Sequence, residues 1–465
     1  MPSHRSTSGH PLLAGASQVD ITPPLGTSVG VDFFRHYARF IHDSLYAKAL
    51  VFRQEGRTVA LVVVDICIMP SDLMADIKVR IQQSTGIPPE QVMLSCTHTH
   101  GAGDVAGLLG GAVDIAYRTL LPDQIVKAAV QALQALQPAQ VASGAVAVPE
   151  HVLCRRYLMK EGYIARNPVT GAIDQVKTNP AGVAQYIEQA AAPVDPDAGF
   201  LAVKGTDGRW IAVLGNYGLH YVGDWDVDTI TADYYGEFSR QIRQKLKADD
   251  RFVGIMTYST GGDINIWDFV RPERYPNRYF AKTKLIAHDL SERVTNALQS
   301  VEWQTDAPLA VAYEELKLEV RKPSEEEIKT ATRTLLENDF NYLEIDEHGM
   351  QVLYAREQLL LNEYADTHTA AVQAIRIGNV SMGASGGELF AETGRWLKSQ
   401  LPEHSYFTIC LANTYDGYVP PAHEMERGGY ETWRARSSFL EATAEEAIRT
   451  KLLALIKQIA QPLNS

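Results

Sequence analysis

The sequence is poor in cysteine and in positive charge. Its four cysteines (Cys67, Cys96, Cys154 and Cys410) are scattered along 465 residues, with no C-x-x-C pair. Isolated cysteines in or beside apolar segments favour buried free thiols over a disulfide framework. The formal net charge of −13 argues against binding to nucleic acid or docking on an anionic membrane surface.

Targeting signals and linkers are lacking as well. No apolar run reaches the length of a membrane-spanning helix, and the first residues (MPSHRST) are not followed by the apolar stretch of a signal peptide. We therefore expect a cytoplasmic protein without a membrane anchor. No Pro/Ser-rich linker or low-complexity tract divides the chain. Its 45% hydrophobic residues supply a large core, so we expect one large domain over residues 1–465.

What the sequence does have is a repeated alternation of strand and helix patterns. Val-rich or apolar runs at 58–69 and 91–96 predict strands, and residues 71–84 and 122–137 have helical spacing of apolar positions. Ser71 is the expected cap of the first helix, and residues 324–327 (SEEE) form a capping box for another. Residues 309–320 alternate like a half-buried antiparallel strand. Together these patterns predict an α/β protein with mixed β-sheets and flanking helices.

Two histidines follow the predicted strand at residues 91–96. His98 and His100 lie in the segment Thr97-His98-Thr99-His100-Gly101, which leads into a Gly-rich turn. In an open α/β sheet, ligands and catalytic groups collect at the carboxyl ends of strands. Two imidazoles at this spacing predict a metal ligand with a proton-transfer partner beside it. Histidines in turns also serve hydrogen bonding alone, and that alternative stays open for the pair by itself.

A later segment repeats the same order. Residues 374–384, 389–399 and 406–411 predict a strand, a helix and a strand, followed by a Gly-containing turn at 413–418 (NTYDGY). Glu388 lies between the first strand and the helix, where a helix N-terminus favours a carboxylate. The chain therefore contains either an internal βαβ pseudo-repeat or two ordinary βαβ units. In both cases two strand ends with polar side chains are predicted to face one cleft.

Further polar residues follow two more predicted strands. His220 comes after the strand at 210–217, and Asp263 lies in the turn after the strand at 252–258. Two neutral imidazoles and a carboxylate form a donor set typical of catalytic zinc. His98, His220 and Glu388 together therefore predict a metal site.

These motifs resemble those of the neutral/alkaline, non-lysosomal ceramidases, in their N-terminal catalytic domain. The similarity runs from residues 20–24 (DITPP) and 42–47 (HDSLYA) to Tyr430-Glu431, and its most specific part is the THTH segment at 97–100. Residues 413–418 match the family's Asn-x-Tyr-x-x-Tyr spacing. The resemblance implies that the zinc ligands are His98, His220, Glu388 and Tyr418. It also implies that His100, Arg155 and Tyr430 belong to the active site.

Two departures from the family pattern are visible. The family has a serine, proposed as a nucleophile, where this chain has Asn265, so a serine-dependent mechanism is excluded at that position. After the Tyr430 region we expect only one helix, from about Ala444 to Ile459. The expectation is therefore that the family's C-terminal β-sandwich domain and secretion signal are absent, and that ceramide at a membrane surface is not the substrate.

The sequence thus predicts a zinc-dependent hydrolase that cleaves a linear amide, an N-acyl amine, through a metal-bound water. His100 is the expected proton shuttle, with support of a metal ligand as its alternative. Arg155, or Arg156 beside it, and Tyr430 are expected to hold the substrate or a developing oxyanion. For Arg155 a structural salt bridge is the alternative. Asp263 is expected to orient a ligand or the substrate's polar head.

Two other functions remain as alternatives. The same zinc site would serve an esterase or lactonase, and loss of the family's serine is compatible with a metal-binding module without catalysis. If the protein is an enzyme, the expected partner is a small-molecule acyl amide or ester. A homo-oligomer is also compatible with the sequence. His368, which copies part of the THTH segment, is expected to be structural.

Overall fold

Two β-sheets dominate the computed structural model, which describes residues 11–339, 344–402 and 405–460. One sheet has eight strands and the other has four. In chain order their strands are β1 (Leu13–Asp20), β2 (Tyr46–Gln54), β3 (Arg57–Val64), β4 (Val92–Cys96), β5 (Gln137–Ala147), β6 (Asp197–Gly205), β7 (Trp210–Tyr217), β8 (Val253–Tyr258), β9 (Leu309–Glu319), β10 (Thr367–Ile377), β11 (Val380–Ser385) and β12 (Ser405–Ile409).

Both sheets are mixed. The larger has the order β8-β7-β6-β5-β1-β2-β3-β4, and the smaller has the order β9-β10-β11-β12. Parallel pairing occurs only at the outer strands, between β7 and β8, between β3 and β4, and between β11 and β12. The remaining neighbours within these two sheets are antiparallel. The mixed α/β architecture predicted from the sequence is confirmed.

Helices and short strands complete the fold. The helices are α1 (Ser71–Thr85), α2 (Ile115–Gln134), α3 (Asp233–Leu246), α4 (Ala281–Ala297), α5 (Glu325–Glu337), α6 (Glu347–Asn362), α7 (Ala391–Ser399), α8 (Ala422–Arg427) and α9 (Ala444–Ala460). The short strands are Ser28–Val29, His36–Tyr37, Phe40–Ile41, Leu153–Cys154, Arg156–Met159, Ala165–Arg166, Ile173–Asp174, Val176–Thr178, Ile187–Ala190, Thr229–Ile230, Ile264–Asn265, Glu388–Leu389 and Tyr418–Val419. None of the helices in the described ranges is long and apolar enough to cross a bilayer.

The two-residue period of β2 shows how the layers form. Ala49 and Val51 belong to the apolar cluster shared with the helices α1 to α4, whereas Leu50 and Phe52 belong to the cluster shared with the smaller sheet. Successive side chains of a strand point to opposite faces, so one strand contributes to both layers. The two sheets therefore pack face to face, with α1 to α4 outside the larger sheet and α9 outside the smaller one.

The two βαβ units meet at their carboxyl ends. In both β3-α1-β4 and β11-α7-β12 the two strands run parallel, as expected for this order of elements. The chain after β12 then joins the end of β4: Asn413 N donates to Leu94 O at 2.8 Å, and Cys96 N donates to Leu411 O at 3.1 Å. This contact brings the two turns that carry the sequence motifs together.

Three local predictions were wrong, and each has a physical reason. Ser71 does not cap α1 but is its first residue, and its hydroxyl accepts a hydrogen bond from Tyr415 N at 3.0 Å. The helix predicted from Pro122 begins seven residues earlier because Asp114 caps it, and the proline lies in its interior. The predicted strand at 374–384 is a hairpin of β10 and β11 that turns at Gly378, where φ is +59°.

Other local predictions were correct. The capping box at Ser324 forms with Glu327, and all four cysteines are free and buried. His368 Nε2 donates to Asp416 Oδ1 at 2.8 Å, and the ring lies edge-on to Phe439. That placement agrees with a structural role for His368.

Candidate metal centre and active-site cavity

Three side chains of the kind that bind metals converge from three strand ends. His98 follows β4, His220 follows β7, and Glu388 follows β11. The two imidazole Nε2 atoms are 3.0 Å apart, and His98 Nε2 is 3.3 Å from Glu388 Oε2. All three residues are buried, with 2–3% of their surface exposed. The structure thus brings together three of the four ligands predicted from the sequence, and their donor atoms can share one cation.

The hydrogen bonds behind the two imidazoles fix which nitrogen faces the other ligands. His98 Nδ1 lies 3.0 Å from the carbonyl oxygen of Cys67, which can only accept, so Nδ1 carries the proton. His220 Nδ1 lies 3.3 Å from the Gly261 carbonyl and 3.0 Å from the Tyr258 hydroxyl. In the neutral rings both Nε2 atoms are therefore bare lone pairs. Two lone pairs and a carboxyl oxygen then point at one another, an arrangement that a cation stabilises.

Burial disfavours charge on each of these groups when no cation is near. It lowers the pKa of His98 to about 4 and the pKa of His220 well below its ordinary value. It also raises the pKa of Glu388 to about 8. Desolvation penalises the charged form of any group, so the site holds neutral imidazoles and favours a protonated carboxyl. Glu388 Oε2 has no hydrogen-bond partner, and a donor set of two nitrogens and one oxygen fits zinc.

Tyr418 lies beside Glu388. The short strands Glu388–Leu389 and Tyr418–Val419 run parallel and place these two residues in register. The Tyr418 hydroxyl is hydrogen-bonded to Glu388 and to Arg155. Burial, followed by the nearby Glu388 carboxyl, raises the pKa of Tyr418 well above its ordinary value. Without a cation the side chain is therefore a neutral phenol, and it stands where a fourth ligand could approach the other three.

The backbone at this centre is strained. His98 has a φ of +75°, which is unusual for a residue other than glycine, and its amide donates to Ile66 O at 3.0 Å. Asn413, at the contact between the two βαβ units, has a φ of +68°. Such conformations persist where the surrounding structure holds them, and they cluster at functional sites.

His100 points a free nitrogen into a neighbouring cavity. Its ring is hydrogen-bonded to the backbone of Val31 and stacks on Tyr221, with the ring centroids 3.7 Å apart. Its Nε2 atom is buried and has no hydrogen-bond partner. The bond to Val31 therefore uses Nδ1. Burial lowers the pKa of His100 well below its ordinary value, so Nε2 is an unprotonated base.

The cavity has a volume of about 460 Å³ and opens beside the metal-type ligands. His220 and Tyr418 contribute to its wall, so the candidate ligands border the space where a substrate would lie. Tyr430 also lines the cavity and packs edge-on against Tyr418, at 5.7 Å between ring centroids. At the mouth, Ile164 and Ile345 are 57% and 43% exposed. The cavity thus joins polar groups at its base to apolar side chains at its opening.

The two neighbouring arginines have different surroundings. Arg155 lines the cavity, donates to Gly262 O at 2.7 Å and to Glu431 Oε1 at 2.8 Å, and lies over the Tyr418 ring. Arg156 is 1% exposed, does not line the cavity, and pairs with Glu424 and Glu431. Of the two alternatives left open by the sequence, Arg155 is the arginine that can reach a substrate.

Asp263 and Asn265 lie behind the cavity wall rather than in it. Asp263 Oδ1 accepts from Ala391 N at 2.8 Å, and its carbonyl accepts from Arg155 N at 2.9 Å. Burial raises the pKa of Asp263 to about 7. Asn265 donates from Nδ2 to Asn179 Oδ1 at 2.7 Å and accepts from Trp267 N at 3.1 Å. Both side chains therefore hold backbone or wall residues in place.

Several residues at the site were missed from the sequence. The Tyr258 hydroxyl is hydrogen-bonded to His220 Nδ1, and its ring stacks on His98. Tyr258 is the last residue of β8, and the other site residues also lie at or just after strand ends. That position is a signal by which it could have been found. Tyr221, which stacks on His100, directly follows His220 and could have been found in the same way. Glu431, the partner of both arginines, has no such signal because the pairing joins residues 275 or more positions apart.

Comparison with known proteins shows which solved structures share this fold. No protein-family model and no curated protein matches the sequence. Two solved structures match the whole architecture: a neutral ceramidase from Pseudomonas aeruginosa (TM-score 0.71, 16% identity) and a ceramidase complexed with C2 (TM-score 0.72, 15% identity). Each match covers 98% of this chain and 76% of the other.

The chain has the neutral ceramidase fold. The resemblance drawn from the THTH segment and the Asn-x-Tyr-x-x-Tyr spacing is thereby confirmed at the level of fold. So is the prediction of a single mixed α/β domain. At 15–16% identity the residue roles do not follow from the fold, and they depend on the geometry of this chain.

Proposed function

We propose that the protein is a zinc-dependent hydrolase that cleaves the carbon–nitrogen bond of a linear amide, an N-acyl amine. The observation that carries this proposal is the set of unsatisfied buried atoms at one place. His98 Nε2, His220 Nε2 and Glu388 Oε2 face one another, and the free His100 Nε2 stands beside them. Two solved structures with this fold are named as ceramidases, and ceramide is an amide.

The residues that would hold the metal are His98, His220, Glu388 and Tyr418. When bound, zinc polarises a carbonyl oxygen and lowers the pKa of water toward about 7. The Cys67 carbonyl and the Tyr258 and Gly261 oxygens orient the two imidazoles from behind. A cation nearby would also favour the ionised forms of Glu388 and Tyr418, both of which burial keeps protonated.

His100 is proposed to move the protons. Its Nε2 atom is unprotonated and unpartnered, so it can accept a proton from the attacking water. The same nitrogen can then donate that proton to the nitrogen of the leaving amine. Stacking on Tyr221 and the bond to Val31 hold the ring in one orientation throughout.

Arg155 and Tyr430 are proposed to hold the substrate and the developing oxyanion. The Arg155 guanidinium is fixed by Glu431 and by the Gly262 carbonyl, so it meets an oxyanion with little reorganisation. Tyr430 is partly buried and presents its phenol from the same wall. Asp263 supports this arrangement through the Arg155 amide.

Two further features support an N-acyl amine. Ile164 and Ile345 at the cavity mouth offer an apolar path for an acyl chain. At position 265, both hydrogen-bonding ends of the asparagine carboxamide are occupied, by Asn179 and by the Trp267 amide. An amide side chain held in this way is no nucleophile, and we propose water as the attacking group.

The test is a panel of N-dodecanoyl amides, neutral and carboxylated, with the matched esters, assayed with and without a zinc chelator. We expect amide cleavage that the chelator abolishes and that zinc restores. The His98→Ala variant should lose both zinc and activity, whereas His368→Ala, a histidine outside the site, should keep both. Failure to cleave any amide, or cleavage unaffected by His98→Ala, would overturn the proposal.

A further inference from the structure

The charged side chains that line the cavity differ in whether they have a partner. Asp32 is 3.2 Å from His36, Arg155 pairs with Glu431, and Arg166 pairs with Glu347 at 3.4 Å. Asp346 accepts the Gly349 amide at 2.8 Å as the cap of α6. Each of these side chains therefore already has an ion-pair or hydrogen-bond partner within the protein.

Lys177 is the exception. It lines the same cavity on the short strand Val176–Thr178, and its ammonium has neither an ion pair nor a hydrogen bond within the described parts of the chain. Burial lowers the pKa of Lys177, and Asp174 only partly opposes that shift. Asp174 itself accepts from Gly429 N and Trp433 Nε1. Among the described residues of the cavity wall, Lys177 is thus a cation without an ion pair or a hydrogen bond.

Asn179 adds a second donor at the end of the same strand. Asn179 lies just beyond the end of this strand and lines the same cavity as Lys177. The Asn179 side-chain oxygen Oδ1 accepts from Asn265 Nδ2 at 2.7 Å, which leaves the side-chain nitrogen of Asn179 as a donor. Asn179 lines the cavity and has a φ of +48°, a conformation that the Asn265 contact helps to hold. The asparagine that replaces the family's serine therefore supports a donor in the wall.

We propose that Lys177 and Asn179 form a subsite for an anionic group, a carboxylate or its equivalent, on the substrate. This inference rests on the proposed amide hydrolysis and names the class of amide. The substrate is an N-acyl amine that bears a negative charge on its amine part or on its acyl part. Lys177, a cation in the cavity wall without an ion pair, favours such a group locally, although the protein as a whole is acidic.

The experiment compares substrates that differ in one charge. N-dodecanoylglycine carries a carboxylate on its amine part, and N-dodecanoylglycinamide carries a neutral carboxamide at the same place. The ethylamide of dodecanedioic acid and its ω-carboxamide differ in the same way on the acyl part. For one of these pairs we expect the zinc-loaded enzyme to show a kcat/KM roughly 10- to 100-fold higher on the anionic member, the range for a hydrogen bond to a charged group.

Variants locate the effect. Lys177→Met should remove most of that preference, Lys177→Arg should retain most of it, and Asn265→Ala should reduce it less than Lys177→Met does. The control is Lys329→Met, since Lys329 is 70% exposed and lies outside the cavity. Equal kcat/KM values within each pair, or a preference that Lys177→Met leaves unchanged, would overturn the subsite.

A binding measurement separates this inference from the proposed function. If the wild type cleaves no amide, the hydrolase proposal fails. Calorimetry that compares the binding of N-dodecanoylglycine with that of N-dodecanoylglycinamide then tests the subsite independently of hydrolysis. A binding preference that Lys177→Met abolishes supports the subsite, and equal binding of the two compounds refutes it.

Discussion

Two buried polar clusters lie next to each other in this molecule and differ in their electrostatic balance. The metal cluster consists of His98, His220, Glu388 and Tyr418. Its two imidazole Nε2 atoms are 3.0 Å apart, His98 Nε2 is 3.3 Å from Glu388 Oε2, and that oxygen has no hydrogen-bond partner among the described residues. Burial pushes each of its titratable groups toward the neutral form.

In the arginine cluster, by contrast, each charged side chain has an oppositely charged partner. It consists of Arg155, Arg156, Glu424 and Glu431. Glu431 accepts from both arginines and from Thr178, and Arg156 pairs with Glu424 at 2.8 Å. Although burial alone would raise it, the two arginines hold the pKa of Glu431 below its ordinary value.

The contrast separates a site that needs a ligand from a paired network that stabilises the fold and fixes Arg155. Both clusters are equally buried, so burial alone does not mark a functional site. What differs is whether each charge and lone pair has a partner. A buried polar atom without one is costly, and it persists where something else binds it.

The largest effect is expected from removing a ligand of the metal cluster. Glu388→Gln removes the only carboxylate among the candidate ligands, so zinc affinity should fall by more than the roughly 10- to 100-fold that follows loss of an indirect partner. Activity should fall with it. Zinc content of the purified variant, measured against the surface variant Glu326→Gln, checks this, and full zinc occupancy in Glu388→Gln would contradict it.

His100→Ala should spare the metal and lose the chemistry. Because His100 is proposed to transfer protons without binding zinc, kcat should fall roughly 10²- to 10⁴-fold while zinc content stays that of the wild type. Steady-state kinetics and metal analysis on the same preparation test both halves. A variant that retains activity, or one that loses zinc, would instead show that His100 supports the ligands.

Glu431→Gln should act on stability. It leaves two buried arginines without their shared carboxylate, and breaking a buried ion pair costs about 3–5 kcal/mol. Urea unfolding would measure the loss, with Glu326→Gln, 83% exposed, as the control expected to change little. Zinc should remain bound in the folded fraction. If the free energy of unfolding of Glu431→Gln equals that of the wild type, the arginine cluster does not stabilise the fold.

Asp263→Asn should change how stability depends on pH. The carboxyl has a pKa of about 7 in the folded protein against an ordinary value of 3.8. Between these values the unfolded chain loses a proton that the folded chain keeps, so the wild type's free energy of unfolding falls as pH rises from about 4 to 7. Asparagine stays neutral and removes that decline.

The size of this effect is about 2–4 kcal/mol between pH 4 and 7, from roughly 1.4 kcal/mol per pKa unit. Urea unfolding of both metal-free proteins at several pH values measures it. Asp207→Asn, an exposed control, should follow the wild type. If Asp263→Asn also follows the wild type through this window, Asp263 is ionised in the folded state.

Much of the metal cluster could be predicted because its residues obey a local rule. His98, His220 and Glu388 each follow a strand whose apolar run is visible in the sequence, and the carboxyl ends of such strands gather ligands. Tyr418 came from its spacing to Asn413 together with a family resemblance. Their convergence depends on the contact between Leu94 and Asn413, which joins distant parts of the chain.

The other site contacts could not be predicted, because they too join residues that are far apart in the sequence. The partners of Arg155, Arg156 and Lys177 are set by tertiary packing, and a lysine without a partner looks like any other lysine in the sequence. The hairpin at Gly378 was hidden because its two strands form one continuous apolar run. Proline near a helix start favours a beginning at Pro122, whereas the structure begins this helix at Ile115 because the Asp114 side chain caps it.

Anomalous diffraction at the zinc absorption edge, from crystals of the purified protein, tests the central claim most directly. The account predicts a single strong peak within about 2.0–2.2 Å of His98 Nε2, His220 Nε2 and a Glu388 carboxylate oxygen, with the Tyr418 oxygen completing the coordination. No peak at this position in zinc-supplemented crystals, or a peak held by other residues, would contradict it.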